Sequence, residues 1–167
     1  KKAGVPSDVK FHTNAEISLE LLKQACGAVV PVGMVLAAAG YGADTKFRDE
    51  VTVLGFQYAM GIGPGASVWA PGTAPLPPKE WTGKGRRPTR LRRDEEHQPV
   101  PVKALALSLP EEAWHIITWR EGTDEWLKSR FARVRVRPAH RDYQLDEPRP
   151  EEWLLIEWPE DEGEPAK

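Results

Sequence analysis

Cysteine and long apolar runs are nearly absent from this sequence, and each absence removes a class of protein. Cys26 is the only cysteine, so no internal disulfide can form, and a reducing, cytoplasmic setting is expected. No run of about 18 apolar residues occurs, so no transmembrane helix and no membrane partner are expected. The opening residues, KKAGVPSDVK, lack an initiator Met and the apolar core of a secretion signal, which favours a processed or excised piece.

Several common catalytic and cofactor motifs are missing as well. The segment GIGPGA, which begins at Gly61, matches a dinucleotide-binding pattern, but Pro64 and Pro71 forbid the helix that must follow it. No phosphate-binding loop with the required spacing and no G-x-S-x-G nucleophile turn is present. The four histidines are scattered and have no cysteine partners, so no metal site is predicted; they are His12, His97, His115 and His140.

The first third of the chain alternates between helical and extended patterns. Residues 14–26 have the spacing of a helix that Asn14 begins and Gly27 ends, with an apolar face of Ile17, Leu21, Leu22 and Ala25. A buried strand is expected over 34–38, and Asp44 should cap a second helix that stops at Gly55. Residues 56–62 predict a further strand. This order predicts a parallel β-α-β layer, in which functional side chains collect at the carboxyl ends of the strands.

After Gly61 the composition changes, and all seven tryptophans lie in this later part. Residues 61–88 are rich in proline and glycine, which predicts a loop or linker. Three strands are expected beyond it, in WHIITWRE, RFARVRVRP and EEWLLIEW, with a hairpin turn at Gly122 between the first two. The predicted organisation is an α/β portion over 1–62, a Pro/Gly/Arg-rich loop region over 63–100 and a β-rich segment with an acidic tail over 101–167.

Two basic clusters are candidates for binding nucleic acid. The first has six cations and no acid between Lys84 and Arg93. We expect no apolar contact to anchor this segment elsewhere in the fold. The second includes Arg133, Arg135 and Arg137, which share one face of a strand while Ala132, Val134 and Val136 face the core. Such a row suits a phosphate backbone. It equally suits ion pairing with the acidic segment near the C-terminus, and the sequence leaves both interpretations open.

Five segments, taken in order, resemble bacterial insertion-sequence transposases of the DDE superfamily. The A-G-Y-G and W-R-E-G turns carry most of the resemblance, which runs over residues 1–160; the segments are KKAGVPSDVKF, VLAAAGYGADTKFRD, VKALALSLPEEAWHIITWREGT, SRFARVRVRPAHRDY and EPRPEEWLLIEWPE. The resemblance implies an α/β fold, namely part of a ribonuclease H-like layer of strands and helices. It also implies a β-rich insertion after about Gly61.

The resemblance further implies two-metal phosphoryl transfer, in which three carboxylates hold two Mg²⁺ ions. In the family the second of these acids stands in the form L-A-D-A-G-Y-G, and here that position is Ala38, between Leu36 and Gly42. The same resemblance places the first acid before Lys1 and the third after Lys167. We therefore expect no bound metal and no DNA cleavage from this chain, although the intact family enzyme should use Mg²⁺.

The resemblance also points to transposon-end DNA as the partner. Trp119 and Arg120 lie at the expected hairpin tip, where they could probe the transposon end or simply pack in the turn. A non-catalytic module that binds protein or DNA is the alternative function. An open sheet edge would also allow a homodimer. The residues predicted to contact DNA phosphates are Lys84, Arg86, Arg87, Arg90, Arg92 and Arg93, with Arg133, Arg135 and Arg137 as a second row.

Overall fold

The computed structural model describes residues 10–31, 33–121 and 125–159. The chain divides into two units, residues 1–62 and residues 63–167, each with its own internal contacts. Among the described residues, no helix is both long and apolar enough to cross a membrane. The first unit contains helix α1 (Asn14–Gly27), strand β1 (Met34–Ala37), the short helix α2 (Ala39–Gly42), helix α3 (Thr45–Val53) and strand β2 (Gln57–Met60).

Local sequence explains where these helices begin. Thr13, rather than the predicted Asn14, is the N-cap of α1, because its hydroxyl accepts the Glu16 amide while Glu16 bonds back to the Thr13 amide. Asp44 caps α3 as predicted, since its carboxylate accepts the Phe47 amide at 3.2 Å. Gly55 follows α3 with a φ of 85°, a value that favours glycine.

Strands β1 and β2 pair in parallel with Met34 opposite Gln57, so the predicted β-α-β connection is confirmed. Leu19, Phe47 and Val51 form the buried core of this unit, and Val35, Tyr58 and other partly buried side chains pack against it. The predicted apolar face of α1 is wrong in part. Ile17 and Leu21 are 47% and 60% exposed, because the helix turns Leu19 inward together with Leu22, which the prediction included.

The prediction that β1 is a buried strand is also wrong on one side. Its residues alternate between exposed and half-buried, with Met34 59% and Leu36 74% exposed. Alternate side chains of a strand point to opposite faces, and the core cluster includes only Val35 from this strand. The core therefore covers a single face of the two-stranded sheet in the described residues.

The second unit is mainly an antiparallel sheet. Its long strand β6 pairs with β5 on one edge and with β7 on the other, and β3 pairs with the C-terminal end of β6 at Arg137 and Pro138. The three strands predicted from the sequence are confirmed as β5, β6 and β7. The elements of this unit are β3 (Ser67–Trp69), β4 (Val100–Pro101), helix α4 (Val102–Ser108), β5 (Trp114–Glu121), β6 (Glu125–Pro138) and β7 (Glu152–Pro159).

The loop predicted over 61–88 is interrupted by structure. Residues 67–69 form β3, and Trp69 is only 1% exposed, among the most buried side chains of the chain. Its indole N–H donates to the Asp142 carboxylate at 2.6 Å, so the tertiary partner holds this short segment in place. The parallel pair, the flanking helices and the largely antiparallel second unit give the α/β class, compatible with a partial ribonuclease H-like fold.

Candidate nucleic-acid interface and the end of strand β1

Ala38 immediately follows β1 and occupies the N-cap position of α2. Its carbonyl accepts the Tyr41 amide at 3.0 Å and the Gly42 amide at 3.2 Å, and its methyl side chain forms no cap hydrogen bond. The residue is exposed. The sequence therefore located position 38 correctly at a strand terminus, where a longer side chain would reach solvent.

Close backbone packing fixes the geometry around this strand end. A Cβ placed on Gly42 would lie 1.8 Å from the Gly61 carbonyl oxygen, so only glycine fits there. The Gly61 amide in turn donates to the Ala37 carbonyl at 2.9 Å. The buried Arg48 guanidinium donates to the Gly42 carbonyl, which adds a third tie to the A-G-Y-G turn.

The side chains near position 38 do not fit a divalent cation. Ala38 has no donor atom, and the Asp44 carboxylate is engaged as the α3 cap. Asp49 lies exposed on α3. Within the described ranges, no three His, Cys, Asp or Glu side chains come together in a way that could hold a metal ion.

The basic segment 84–93 is bonded to other parts of the second unit, to which it belongs. The backbones of Leu76 and Arg92 form an antiparallel bridge, and the Leu91 amide donates to the Leu145 carbonyl at 2.9 Å. Leu91 is 4% exposed. The expectation that nothing apolar anchors this segment is therefore wrong, because one leucine ties the cationic stretch to the core.

Beside this anchored segment lies an open groove of about 600 Å³ with a cationic wall, here called the basic groove. Arg92 is held by a hydrogen bond from its Nε to the Pro77 carbonyl at 3.0 Å. The exposed arginines of the lining are Arg86, Arg87 and Arg90, and Lys84 lies outside the lining. In the part of the chain that the structure describes, none of these four side chains makes a hydrogen bond or an ion pair. The charged and aromatic residues that line the groove are Lys79, Arg86, Arg87, Arg90, Arg92 and Tyr143.

Two of these lining residues were missed by sequence reasoning. Lys79 stands outside the basic run, between a Pro-Pro pair and an acid, and Tyr143 is more than fifty positions further on. The Leu76–Arg92 bridge and the Leu91–Leu145 hydrogen bond bring them to the groove. No local pattern indicates such a convergence.

Arg93 differs from the rest of its cluster because its side chain faces the core. Its guanidinium donates to the Asp142 carboxylate and to the Ala139 carbonyl, the latter at 2.8 Å. It also lies 5.8 Å from the ring centroids of Trp69 and Tyr143. Asp142 is 1% exposed and is bound by both Trp69 and Arg93. Arg93 thus anchors the C-terminal end of the basic segment to the core of the second unit.

The adjoining loop carries a local acid–imidazole pair. The Asp94 carboxylate contacts the His97 ring nitrogen at 2.7 Å and accepts the His97 amide at 2.9 Å. The His97 side chain is the main reason that the pKa of Asp94 is held below its usual value. This aspartate therefore keeps its negative charge next to Arg93.

The three arginines of β6 share a face, and Ala132 and Val136 are buried on the other, as predicted. Arg135 and Arg137 approach Glu151 at 3.8 and 3.7 Å, and Arg137 also donates to the Arg149 carbonyl. The guanidinium of Arg133 lies 5.4 Å from the Trp153 ring centroid. The acidic segment therefore supplies ion-pair partners for two of the three.

Trp119 and Arg120 lie near the end of β5, on opposite faces of the strand. Trp119 packs edge-to-face against Phe131, with ring centroids 5.5 Å apart, whereas Arg120 lies over Trp126 at 5.9 Å. Both residues therefore take part in packing between β5 and β6. The predicted turn at Gly122 lies outside the described residues.

Comparison with known proteins adds the family. No curated protein and no solved structure matches the chain. A family model described as DDE superfamily endonuclease matches residues 1–125, which is about three quarters of the sequence and includes both position 38 and the basic groove segment. The chain therefore belongs to the DDE superfamily of endonucleases.

Proposed function

We propose that this chain is part of an insertion-sequence transposase that binds transposon-end DNA through its basic groove. The observation that carries the proposal is the convergence of five cations on one open surface: Lys79, Arg86, Arg87, Arg90 and Arg92. Lysine and arginine at this density suit the phosphate backbone, where each cation that binds a phosphate releases a counterion. Membership of an endonuclease superfamily supports DNA as the partner.

The segment that forms the groove is anchored to buried parts of the second unit, which favours the groove over the β6 arginines as the DNA-binding surface. Leu91, Arg92 and Arg93 are each bonded to other parts of the second unit, so the exposed arginines that precede them lie on a segment anchored at its C-terminal end. DNA contact by the second row of arginines on β6 stays a prediction. Arg135 and Arg137 would have to give up Glu151 to bind phosphate, so the proposal does not depend on them.

We also propose that this chain binds DNA without cleaving it. Position 38 would present an acid in the family pattern, and the side chain of alanine has no oxygen that could bind a cation. Asp44 already accepts the Phe47 amide through Oδ1 as the cap of α3. The contribution of this strand end would then be structural, with the basic groove left as the functional surface.

The test is duplex binding measured by fluorescence anisotropy across a series of salt concentrations. If all five groove cations contact phosphates, log K should fall against log salt with a slope of about −4.5. Replacing two of them in Arg87→Ala/Arg90→Ala should reduce that slope by about 2, because two fewer counterions are released. Both residues are exposed, so the fold should tolerate the change.

The matched control is Lys10→Ala/Lys46→Ala, which removes the same charge from exposed positions of the first unit. This variant should bind duplex DNA like the unmodified chain. Equal losses in the two double variants would mean that only net charge matters, and the groove proposal would fail. Absence of duplex binding by the unmodified chain at low salt would favour the alternative, a protein-interaction module.

A further inference from the structure

The β6 face that carries Arg133 and Arg135 also carries an apolar groove of about 530 Å³ that the proposed function leaves unused. The pairing registers place Leu155 opposite Arg133, His115 opposite Phe131, and Ile117 opposite Ser129. The groove therefore spans β5, β6 and β7. Its principal lining residues are His115, Ile117, Trp119, Phe131, Arg133 and Leu155.

The apolar side chains of this groove are unusually open to solvent. Leu155 is 65% exposed, Ile117 is 47% exposed, and the neighbouring Trp153 is 63% exposed. Single exposed apolar residues are ordinary, but a contiguous set on one sheet face marks an interaction site. Burying these side chains against a partner would remove apolar surface from water.

The rim of the groove is cationic. Arg133 is exposed, and Arg135, although near Glu151, keeps 42% of its side chain accessible. Glu157, an acid on this face beside the groove, is half-buried and accepts the Ser129 hydroxyl at 3.0 Å. A complementary partner must combine apolar side chains with carboxylates.

The aromatic geometry favours a protein segment over unpaired bases. Bases bind single-strand surfaces by stacking on free aromatic planes. Here Trp119 and Phe131 are turned against each other at an interplanar angle of 69°. The Trp153 ring has the Arg133 and Arg135 guanidiniums at 5.4 and 5.2 Å. The most exposed apolar lining residues, Leu155 and Ile117, are aliphatic and offer no stacking plane.

We propose that this groove binds an amphipathic segment of a partner protein, with two or three apolar side chains flanked by a carboxylate. The apolar side chains occupy the surface over Ile117 and Leu155, and the carboxylate pairs with Arg133. This mode uses the rules of peptide recognition, with apolar anchors for affinity and a charge for orientation. It is independent of DNA binding at the basic groove.

The test begins with a display library of random peptides of about twelve residues, selected on the full chain. Enriched peptides should combine leucine or aromatic residues with aspartate or glutamate. A synthetic copy of the strongest should lose about tenfold or more in affinity to Leu155→Asp, which places a charge in the apolar site. The matched control is Leu107→Asp on α4, a leucine that is 52% exposed and outside the groove.

A charge reversal tests the orientation. Arg133→Glu should weaken the acidic peptide, and a peptide with lysine in place of its acid should bind Arg133→Glu better than the unmodified chain. Circular dichroism should show that every variant keeps its secondary structure. Peptide binding should also survive Arg87→Ala/Arg90→Ala, which separates this proposal from the proposed DNA function.

Three results would overturn the proposal. The first is a library that yields no peptide sensitive to Leu155→Asp. The second is self-association of the unmodified chain, measured by analytical ultracentrifugation, that Leu155→Asp abolishes, because the occupant would then be a second copy. The third is binding of an oligothymidylate that Leu155→Asp abolishes while Arg87→Ala/Arg90→Ala retains it, which would assign the face to unpaired nucleic acid.

Discussion

At the scale of single residues, glycine and alanine decide the shape of the β1 terminus. Gly42 lies where the backbone of residue 61 passes so closely that no side chain fits, whereas a Cβ on Gly40 would meet nothing within 4 Å. Two glycines of one A-G-Y-G turn therefore have different physical roles. The first is replaceable, and the second permits the turn to pack on the end of β2.

The first prediction compares these two glycines. Gly42→Ala should destabilise the fold by about 2 kcal/mol, because the Gly61 carbonyl must move to admit a methyl group. Gly40→Ala should leave stability unchanged or raise it by up to about 1 kcal/mol, since alanine favours helical backbone. Urea unfolding followed by circular dichroism measures both. Equal stability of the two variants would contradict the close approach of residues 42 and 61.

At the scale of elements, α1 depends on a reciprocal cap between Thr13 and Glu16. The hydrogen bond from the Thr13 backbone amide is the main reason that the pKa of Glu16 lies below its ordinary value. A lowered folded-state pKa means that the ionised form is the one stabilised by folding. The contribution is present above the ordinary pKa of glutamate and is lost as the pH falls through the lowered one.

The second prediction follows from that sign. Glu16→Gln should reduce stability at neutral pH, and the difference from the unmodified chain should shrink on acidification below the ordinary glutamate pKa. Glu20→Gln serves as control, because Glu20 bonds only to Gln24 on the same helix among the described contacts. Thermal unfolding at pH 7 and at acidic pH measures the difference. A Glu16→Gln effect that grows on acidification would contradict the assignment.

At the scale of the whole molecule, catalysis of the family type needs several carboxylates at one point. No such cluster exists among the described residues, and the strand end carries a methyl group. The net charge of −2 also conceals a strong segregation, in which the basic groove and the acidic segment lie in different parts of the sequence. DNA binding and a slightly acidic chain are therefore compatible.

The third prediction concerns the restored acid. Ala38→Asp in this chain should produce no Mg²⁺-dependent nicking of supercoiled plasmid, because one carboxylate does not assemble a two-metal site. Ala39→Asp, one residue further along, is the matched control. Nicking by Ala38→Asp but not by Ala39→Asp would show that other acids of the chain do converge on position 38, and the expectation that a single carboxylate would stand there alone would be wrong.

Local patterns were sufficient for much of the fold. The spacing of apolar residues and the capping residues predicted α1, α3, both parallel strands and the three long antiparallel strands. These signals, such as Asp44, Gly55 and the alternation along β6, act within a few residues. They failed where a distant partner decided the outcome. The β3 segment looked like a loop because its stabilising contact, from Trp69 to Asp142, spans 73 positions.

The proposed DNA-binding surface also depends partly on local sequence and partly on tertiary contacts. The sequence by itself determined that six cations stand between Lys84 and Arg93 and that alanine occupies position 38. Only the tertiary structure decided which cations are exposed: Arg93 turns inward to Asp142, and Lys79 joins the groove from outside the run. Charge is a property of the residue, whereas its availability depends on buried partners far along the chain.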